Sequence, residues 1–94
     1  MARPAAQATQ MIDDARVRVT RFDFMPGAET GWHEHGLDYV ITAVTDCHML
    51  LVDSTGEHRV LVTQGECYRR DAGVKHNVIN DADTPMSFVE VELK

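Results

Sequence analysis

The sequence predicts an all-β fold, and three observations support this prediction. The chain is a succession of short runs rich in β-forming residues, which turn-forming residues separate at intervals of roughly 8–12 residues. No window contains a convincing apolar stripe with the 3.6-residue period of a helix. From Met86 to Leu93, side chains alternate with the two-residue period of a strand, although neither face is purely apolar. These features favour an antiparallel sandwich or barrel.

Seven runs account for the predicted strands. Pro26-Gly27 ends the first run, and Ser54-Thr55-Gly56 is a turn sequence after the third. Residues 5–15 are less regular and could form one or two helical turns, but Pro4 and Asp13-Asp14 weaken that interpretation. The predicted strands span residues 15–24, 38–45, 48–53, 58–63, 67–70, 76–79 and 86–93.

Length and composition predict one globular domain. The chain has 94 residues, of which 44% are apolar and 26% charged. Residues 1–9 are small and polar, and we expect them to be flexible or to lie across a partner subunit, with the domain formed by residues 10–94. Because so small a domain has a modest core and leaves sheet edges and apolar strand faces to cover, we expect a homodimer.

Charge and hydropathy exclude several classes of partner. The net charge is −6 and no basic run is longer than Arg69-Arg70, which argues against binding to nucleic acid or to an anionic membrane surface. Residues 1–6 lack the apolar core of a signal peptide, and no later segment is long and apolar enough to span a bilayer. We therefore expect a cytoplasmic protein. The net charge does not exclude an anionic small-molecule ligand.

Three histidines have the placement of metal ligands. His33 and His35 follow a predicted turn and are two residues apart, so an extended strand projects both imidazoles from one face. His76 follows a second predicted turn, and an antiparallel sheet could bring it to the first two. Neutral imidazoles suit one divalent ion of Fe, Ni, Zn, Mn or Cu. We interpret His48 and His58 as ordinary strand histidines.

The spacing around these histidines follows a recognisable pattern. The first group of residues joins a glycine to two histidines, and the second joins a glycine, a turn, a histidine and an asparagine. The groups are Gly27, His33 and His35, and then Gly65, Asp71-Ala72-Gly73, His76 and Asn80. Together they resemble the two motifs of the cupin superfamily. The segments 31–35 and 72–80 resemble, more narrowly, small bacterial cupins, some of which are labelled β-alanine degradation proteins.

The resemblance implies a fold, a cofactor and a range of functions. It implies a single-domain, cupin-type antiparallel β-barrel (jelly roll) in which His33, His35 and His76 hold one metal ion. A metal-dependent enzyme acting on a small organic molecule such as a carboxylate is one implied function, with dioxygenases, isomerases and decarboxylases among its relatives. A non-catalytic cupin that binds or senses a small molecule with the help of the metal is the alternative. In a third interpretation the ion mainly supports the fold.

The chain departs from the motifs at two informative places. Cupins usually supply a glutamate as a fourth ligand three or four residues after the second histidine, where this chain has Tyr39 and Val40. Two-residue alternation from His35 through Leu37 puts Tyr39 on the side of the histidines, which makes it the candidate catalytic residue. Its hydroxyl could bind the metal, orient a substrate or only pack. Asp71 replaces the usual proline, and we expect a local change there.

Tyr68 and Arg70 are the candidate pocket residues. They share one face of the predicted strand that precedes Asp71, and the Arg70 guanidinium could bind a carboxylate through two hydrogen bonds. The alternative is a tyrosine packed in the barrel wall and an arginine paired with a glutamate of the last strand.

Overall fold

Nine strands form two antiparallel sheets in the computed structural model, which describes residues 2–94. Within this range there is no helix, and so none that is long and apolar enough to cross a membrane. The strands are β1 (Gln7–Asp13), β2 (Val17–Phe24), β3 (His33–Glu34), β4 (Asp38–Ala43), β5 (Cys47–Asp53), β6 (Gly56–Val62), β7 (Cys67–Arg70), β8 (Lys75–Asn80) and β9 (Met86–Leu93).

The two sheets interleave distant parts of the chain. One has the strand order β1-β2-β9-β4-β7, and the other has the order β3-β8-β5-β6. The chain therefore passes from one sheet to the other between β3 and β4, at Gly36 and Leu37. This crossed arrangement is a jelly-roll barrel, and the all-β prediction is confirmed.

Strand β1 corrects the interpretation of the N-terminal residues as one or two helical turns. It pairs with β2 from Gln7, opposite Asp23, to Asp13, opposite Arg18. All seven of its residues are exposed, because β1 is the edge of its sheet and covers no core. The absence of an apolar pattern therefore reflects an edge strand held by backbone pairing. The segment 1–9 overlaps its start, and contact of this segment with a partner subunit stays a prediction.

The apolar core lies between the inner faces of the sheets, towards one end of the barrel. Phe22, Phe24 and Phe88 form an aromatic cluster with ring centroids 5.3–6.5 Å apart. Met49 and Met86 are 1% exposed and pack in the same core. Burial of such side chains supplies most of the free energy that holds the two sheets together.

Asn80 stabilises the β2–β3 and β8–β9 connections at this end of the barrel through side-chain hydrogen bonds. Its Nδ2 donates to the carbonyls of Phe24, Met25 and Thr84, at 3.3, 3.3 and 2.8 Å, and its Oδ1 accepts from Ala82 N at 3.0 Å. The side chain is 1% exposed, so these bonds replace the water that it loses. Asn80 thus has a structural role.

Candidate metal centre

The pairing of β3 with β8 brings the three histidines together. His33 lies directly opposite His76 in the register. The pairing extends one step past β3, because His35 N donates to the Val74 carbonyl at 2.9 Å and Gly73 N donates to the His35 carbonyl at 2.7 Å. Gly73 has a φ of +101°, which L side chains rarely adopt, and this lets the turn before His76 close tightly.

The imidazole Nε2 atoms converge on one point. Nε2 of His35 lies 2.9 Å from Nε2 of His33 and 3.0 Å from Nε2 of His76, and the three ligand atoms are all within 4.8 Å of one another. Two nitrogens bound to one ion at about 2.1 Å are roughly 3.0 to 3.4 Å apart, for angles between a right angle and a tetrahedral one. The donor set and its spacing therefore fit one transition-metal ion.

Hydrogen bonding leaves these Nε2 atoms free to act as ligands. Nδ1 of His33 donates to the Gly31 carbonyl at 2.8 Å, which leaves the lone pair on Nε2. Nδ1 of His35 lies 3.5 Å from Oε1 of Glu90. Burial, followed by the nearby His33, lowers the pKa of His35 and of His76 to about 4. Both imidazoles are thus neutral at neutral pH, as metal ligands must be.

Tyr39 lies against the histidine cluster with its hydroxyl unpartnered. Its ring stacks on that of His35, with centroids 3.9 Å apart and planes 15° from parallel. The side chain is 1% exposed, and within residues 2–94 its hydroxyl has no hydrogen-bond partner. Burial raises the pKa of Tyr39 to about 12, so the phenol keeps its proton.

The placement of Tyr39 agrees with the prediction, but the predicted reason is wrong. Strand alternation does not continue from His35 to Tyr39, because the chain changes sheets at Gly36 and Leu37. Tyr39 faces inwards because β4 lies opposite the histidines in the other sheet. Val40 faces the other way, so neither residue replaces the carboxylate of the motif.

Tyr68 and Arg70 lie in different surroundings. Tyr68 lines the same cavity as the histidines, and its hydroxyl contacts Met49 Sδ at 3.8 Å. The exposed Arg70 lines a second cavity, of about 290 Å³, which also touches His76. Within residues 2–94 no carboxylate pairs with the Arg70 guanidinium, so the alternative pairing with a glutamate of the last strand is absent.

Two glutamates of β9 complete the site, and the sequence analysis missed both. Glu90 and Glu92 face inwards and are each 8% exposed. Glu92 is neutralised by Arg18, whose Nε and Nη2 donate to its two carboxylate oxygens at 2.7 and 2.8 Å, and this pairing lowers the pKa of Glu92. Glu90 has no such cation, and burial raises its pKa to about 7. The sequence signal that could have identified them is the two-residue alternation of β9, which puts both glutamates on one face of the strand.

The histidines open into a cavity between the sheets, which we call the inner cavity. Its volume is about 260 Å³. The polar part of its wall includes the histidine cluster, Tyr39, the β9 glutamates, Arg18 and Glu34. The apolar part includes Phe22, Ile41, Val78 and Phe88. A space of this size and polarity suits a small organic molecule.

Comparisons with known proteins agree with this architecture. The cupin domain family matches residues 20–92. The beta-alanine degradation protein BauB of Pseudomonas aeruginosa PAO1 is 47% identical over 92 residues, which cover 98% of this chain and 97% of that protein. A cupin domain from Bordetella pertussis Tohama I has a crystal structure with 48% identity and a TM-score of 0.97, covering 100% and 98% of the two chains. The polyketide cyclase RemF of Streptomyces resistomycificus shares the fold, with 22% identity, a TM-score of 0.74 and coverage of 99% and 70%.

The unpartnered hydroxyl generates a prediction about stability. Replacing Tyr39 with Phe removes a buried polar atom that has lost its hydration without gaining a hydrogen bond. We expect Tyr39→Phe to raise the free energy of unfolding of the metal-free protein by about 0.5 to 1.5 kcal/mol, measured by urea denaturation. Tyr68→Phe, which loses the contact with Met49, is the matched control and should not be stabilised. A destabilised Tyr39→Phe variant would contradict the prediction.

Proposed function

The chain belongs to the cupin family, and we propose that it is a metal-dependent enzyme that acts on a small carboxylic acid. The observation that carries the proposal is the convergence of three imidazoles at the wall of the inner cavity. A set of three protein ligands leaves positions on the ion for a substrate, and an ion held there would supply a Lewis acid. The relative BauB is named for beta-alanine degradation, which supports a role in the breakdown of such a compound for this chain.

The charge of the site favours an anionic group on the ligand. The donors from His33, His35 and His76 carry no charge, so they leave the full charge of a divalent ion in place. Arg70 adds a guanidinium, which forms no ion pair within residues 2–94, in the second cavity, which His76 also lines. Both features attract a carboxylate towards the histidine cluster.

We expect His76→Ala to abolish metal binding. The variant removes one of three ligands, so metal content should fall from about one ion per chain to nearly none. The measurement is elemental analysis of protein purified without an affinity tag. His48→Ala, which removes an exposed histidine of β5, is the control and should keep its metal. Full metal content in His76→Ala would overturn the assignment of the ligands.

Small carboxylates should bind to the metal-loaded protein, with Tyr39 orienting them. Calorimetry with acetate, propanoate and malonate measures the affinity, and NMR of the reaction mixture detects turnover. Tyr39→Phe should weaken binding by roughly 3- to 10-fold, the value of one hydrogen bond, while leaving metal content unchanged. Tyr39→Glu restores an acidic side chain at the motif position and should weaken anion binding further. Equal binding by the wild type and Tyr39→Glu would refute this account, and binding without turnover would favour a sensing or storage role.

The outer face of the five-stranded sheet fits a second copy of the chain. Its central strands present a row of apolar residues, in which Val91 of β9 lies between Val19 of β2 and Val40 of β4. Above and below this row are further apolar residues, namely Val17, Val89 and Leu93. The solvent face of an antiparallel sheet is ordinarily polar, whereas an apolar face on both partners is self-complementary about a twofold axis.

We therefore expect a homodimer formed through this face. Val91→Glu puts a charge at its centre and should give a monomer at micromolar concentration, measured by light scattering. Val60→Glu, on the exposed β6 of the other sheet, is the matched control and should remain dimeric. A monomeric wild type, or a dimeric Val91→Glu variant, would show that this face is not the interface.

A further inference from the structure

The inner cavity contains two polar groups whose hydrogen-bonding capacity the protein does not use. The Tyr39 hydroxyl has no partner within residues 2–94. The Glu90 carboxylate is 8% exposed and forms no ion pair with a Lys or Arg within residues 2–94, and its Oε1 lies 3.5 Å from Nδ1 of His35. Glu92 lies two residues further along the same face of β9 and is paired with Arg18 through two hydrogen bonds. Such pairing is the usual way in which a protein compensates the charge of a buried carboxylate. Glu90 therefore has acceptor atoms and a charge left for a ligand.

The rest of the inner cavity indicates the shape of that ligand. Phe22, Ile41 and Phe88 give it an apolar wall beside the two polar groups. An apolar wall cannot hydrogen-bond, so it accommodates methylene groups and disfavours a second polar substituent. With a volume of about 260 Å³, the space suits a chain of a few carbon atoms.

Acidic side chains predominate in the inner cavity, where Glu34, Glu90 and Glu92 lie with Arg18, which is paired with Glu92. The second cavity, which shares His76 with the first, contains Arg70 and Asp53. A molecule that places a carboxylate at the cluster and an ammonium group in the inner cavity would match this distribution. A carboxylate acceptor and a tyrosine oxygen are suitable partners for the N–H groups of an ammonium ion.

We propose that Glu90 and Tyr39 form an amino-group subsite, so that the site takes a small amino acid whose carboxylate binds at the histidine cluster. This inference rests on the proposed function for the binding of the ligand's carboxylate, and it adds a site for the ligand's amino group. Glu90 determines specificity by accepting a hydrogen bond from the ammonium group and by neutralising its charge. The Tyr39 hydroxyl donates a hydrogen bond to the ligand's carboxylate, as in the proposed function, and its oxygen supplies a second acceptor for the ammonium group.

The test compares two ligands that differ by one amino group. Propanoate and 3-aminopropanoate are titrated calorimetrically into metal-loaded wild-type protein and into Glu90→Gln. We expect the wild type to bind 3-aminopropanoate roughly 10-fold or more tightly than propanoate, the value of one charged hydrogen bond. In Glu90→Gln, which keeps a carbonyl oxygen towards His35 but loses the charge, this preference should fall to about 3-fold or less. Glu34→Gln, which changes an exposed glutamate at the cavity mouth, is the control and should keep the preference.

The outcomes separate this inference from the proposed function. If the wild type binds both ligands equally, or if Glu90→Gln keeps the full preference, the amino-group subsite is wrong while carboxylate binding stands. If neither ligand binds, the proposed carboxylate function fails as well. If Glu90→Gln loses its metal, the comparison is made with Tyr39→Phe, whose preference for the amino compound should be lower than that of the wild type. A full preference in Tyr39→Phe would then overturn the proposal.

Discussion

The antiparallel pairing of β8 with two strands at once is the constraint on which the site depends. On one side β8 pairs with β3, which places His33 opposite His76, and on the other it pairs with β5. His76, Val78 and Asn80 all face inwards and are at most 5% exposed. A slip of one residue would turn all three outwards, because side chains alternate along a strand. The free energy of core packing therefore also fixes the position of a candidate metal ligand.

The interior of the barrel changes from apolar to polar along strand β9. On the inner face of β9, Met86 and Phe88 belong to the apolar core, whereas Glu90 and Glu92 face the inner cavity. Burying two carboxylates on neighbouring inward positions opposes folding unless a cation or a ligand compensates them. Arg18 compensates one of them within the protein. Packing at one end of the barrel thus stabilises the fold, while polar groups at the other end remain available for binding.

The sequence was sufficient to predict the fold class, from its turn residues and the alternation of its strands. It predicted the convergence of the three histidines through the resemblance of the glycine and histidine spacing to the cupin motifs. It was insufficient for Glu90 and Glu92, since acidic residues that alternate along a strand ordinarily face solvent, and only the packing of β9 between β2 and β4 shows that they face inwards. The sequence also did not predict strand β1, because an exposed edge strand needs backbone partners but no apolar pattern. Tyr39 shows that a correct placement can follow from a wrong local rule, because the change of sheet at Gly36 is a tertiary feature.

The shortness of β3 has a consequence for the order in which the protein assembles. The two residues of β3 pair only with β8, which is itself held by β5, so the histidine cluster should form late in folding. Bringing His35 to His76 closes a loop of 41 residues. Closing a loop of this length costs roughly 3 kcal/mol of chain entropy, and contacts elsewhere in the barrel must form first to offset that cost. An ion bound by these residues would therefore leave the rate of folding nearly unchanged. It would lower the rate of unfolding instead, by stabilising the folded barrel.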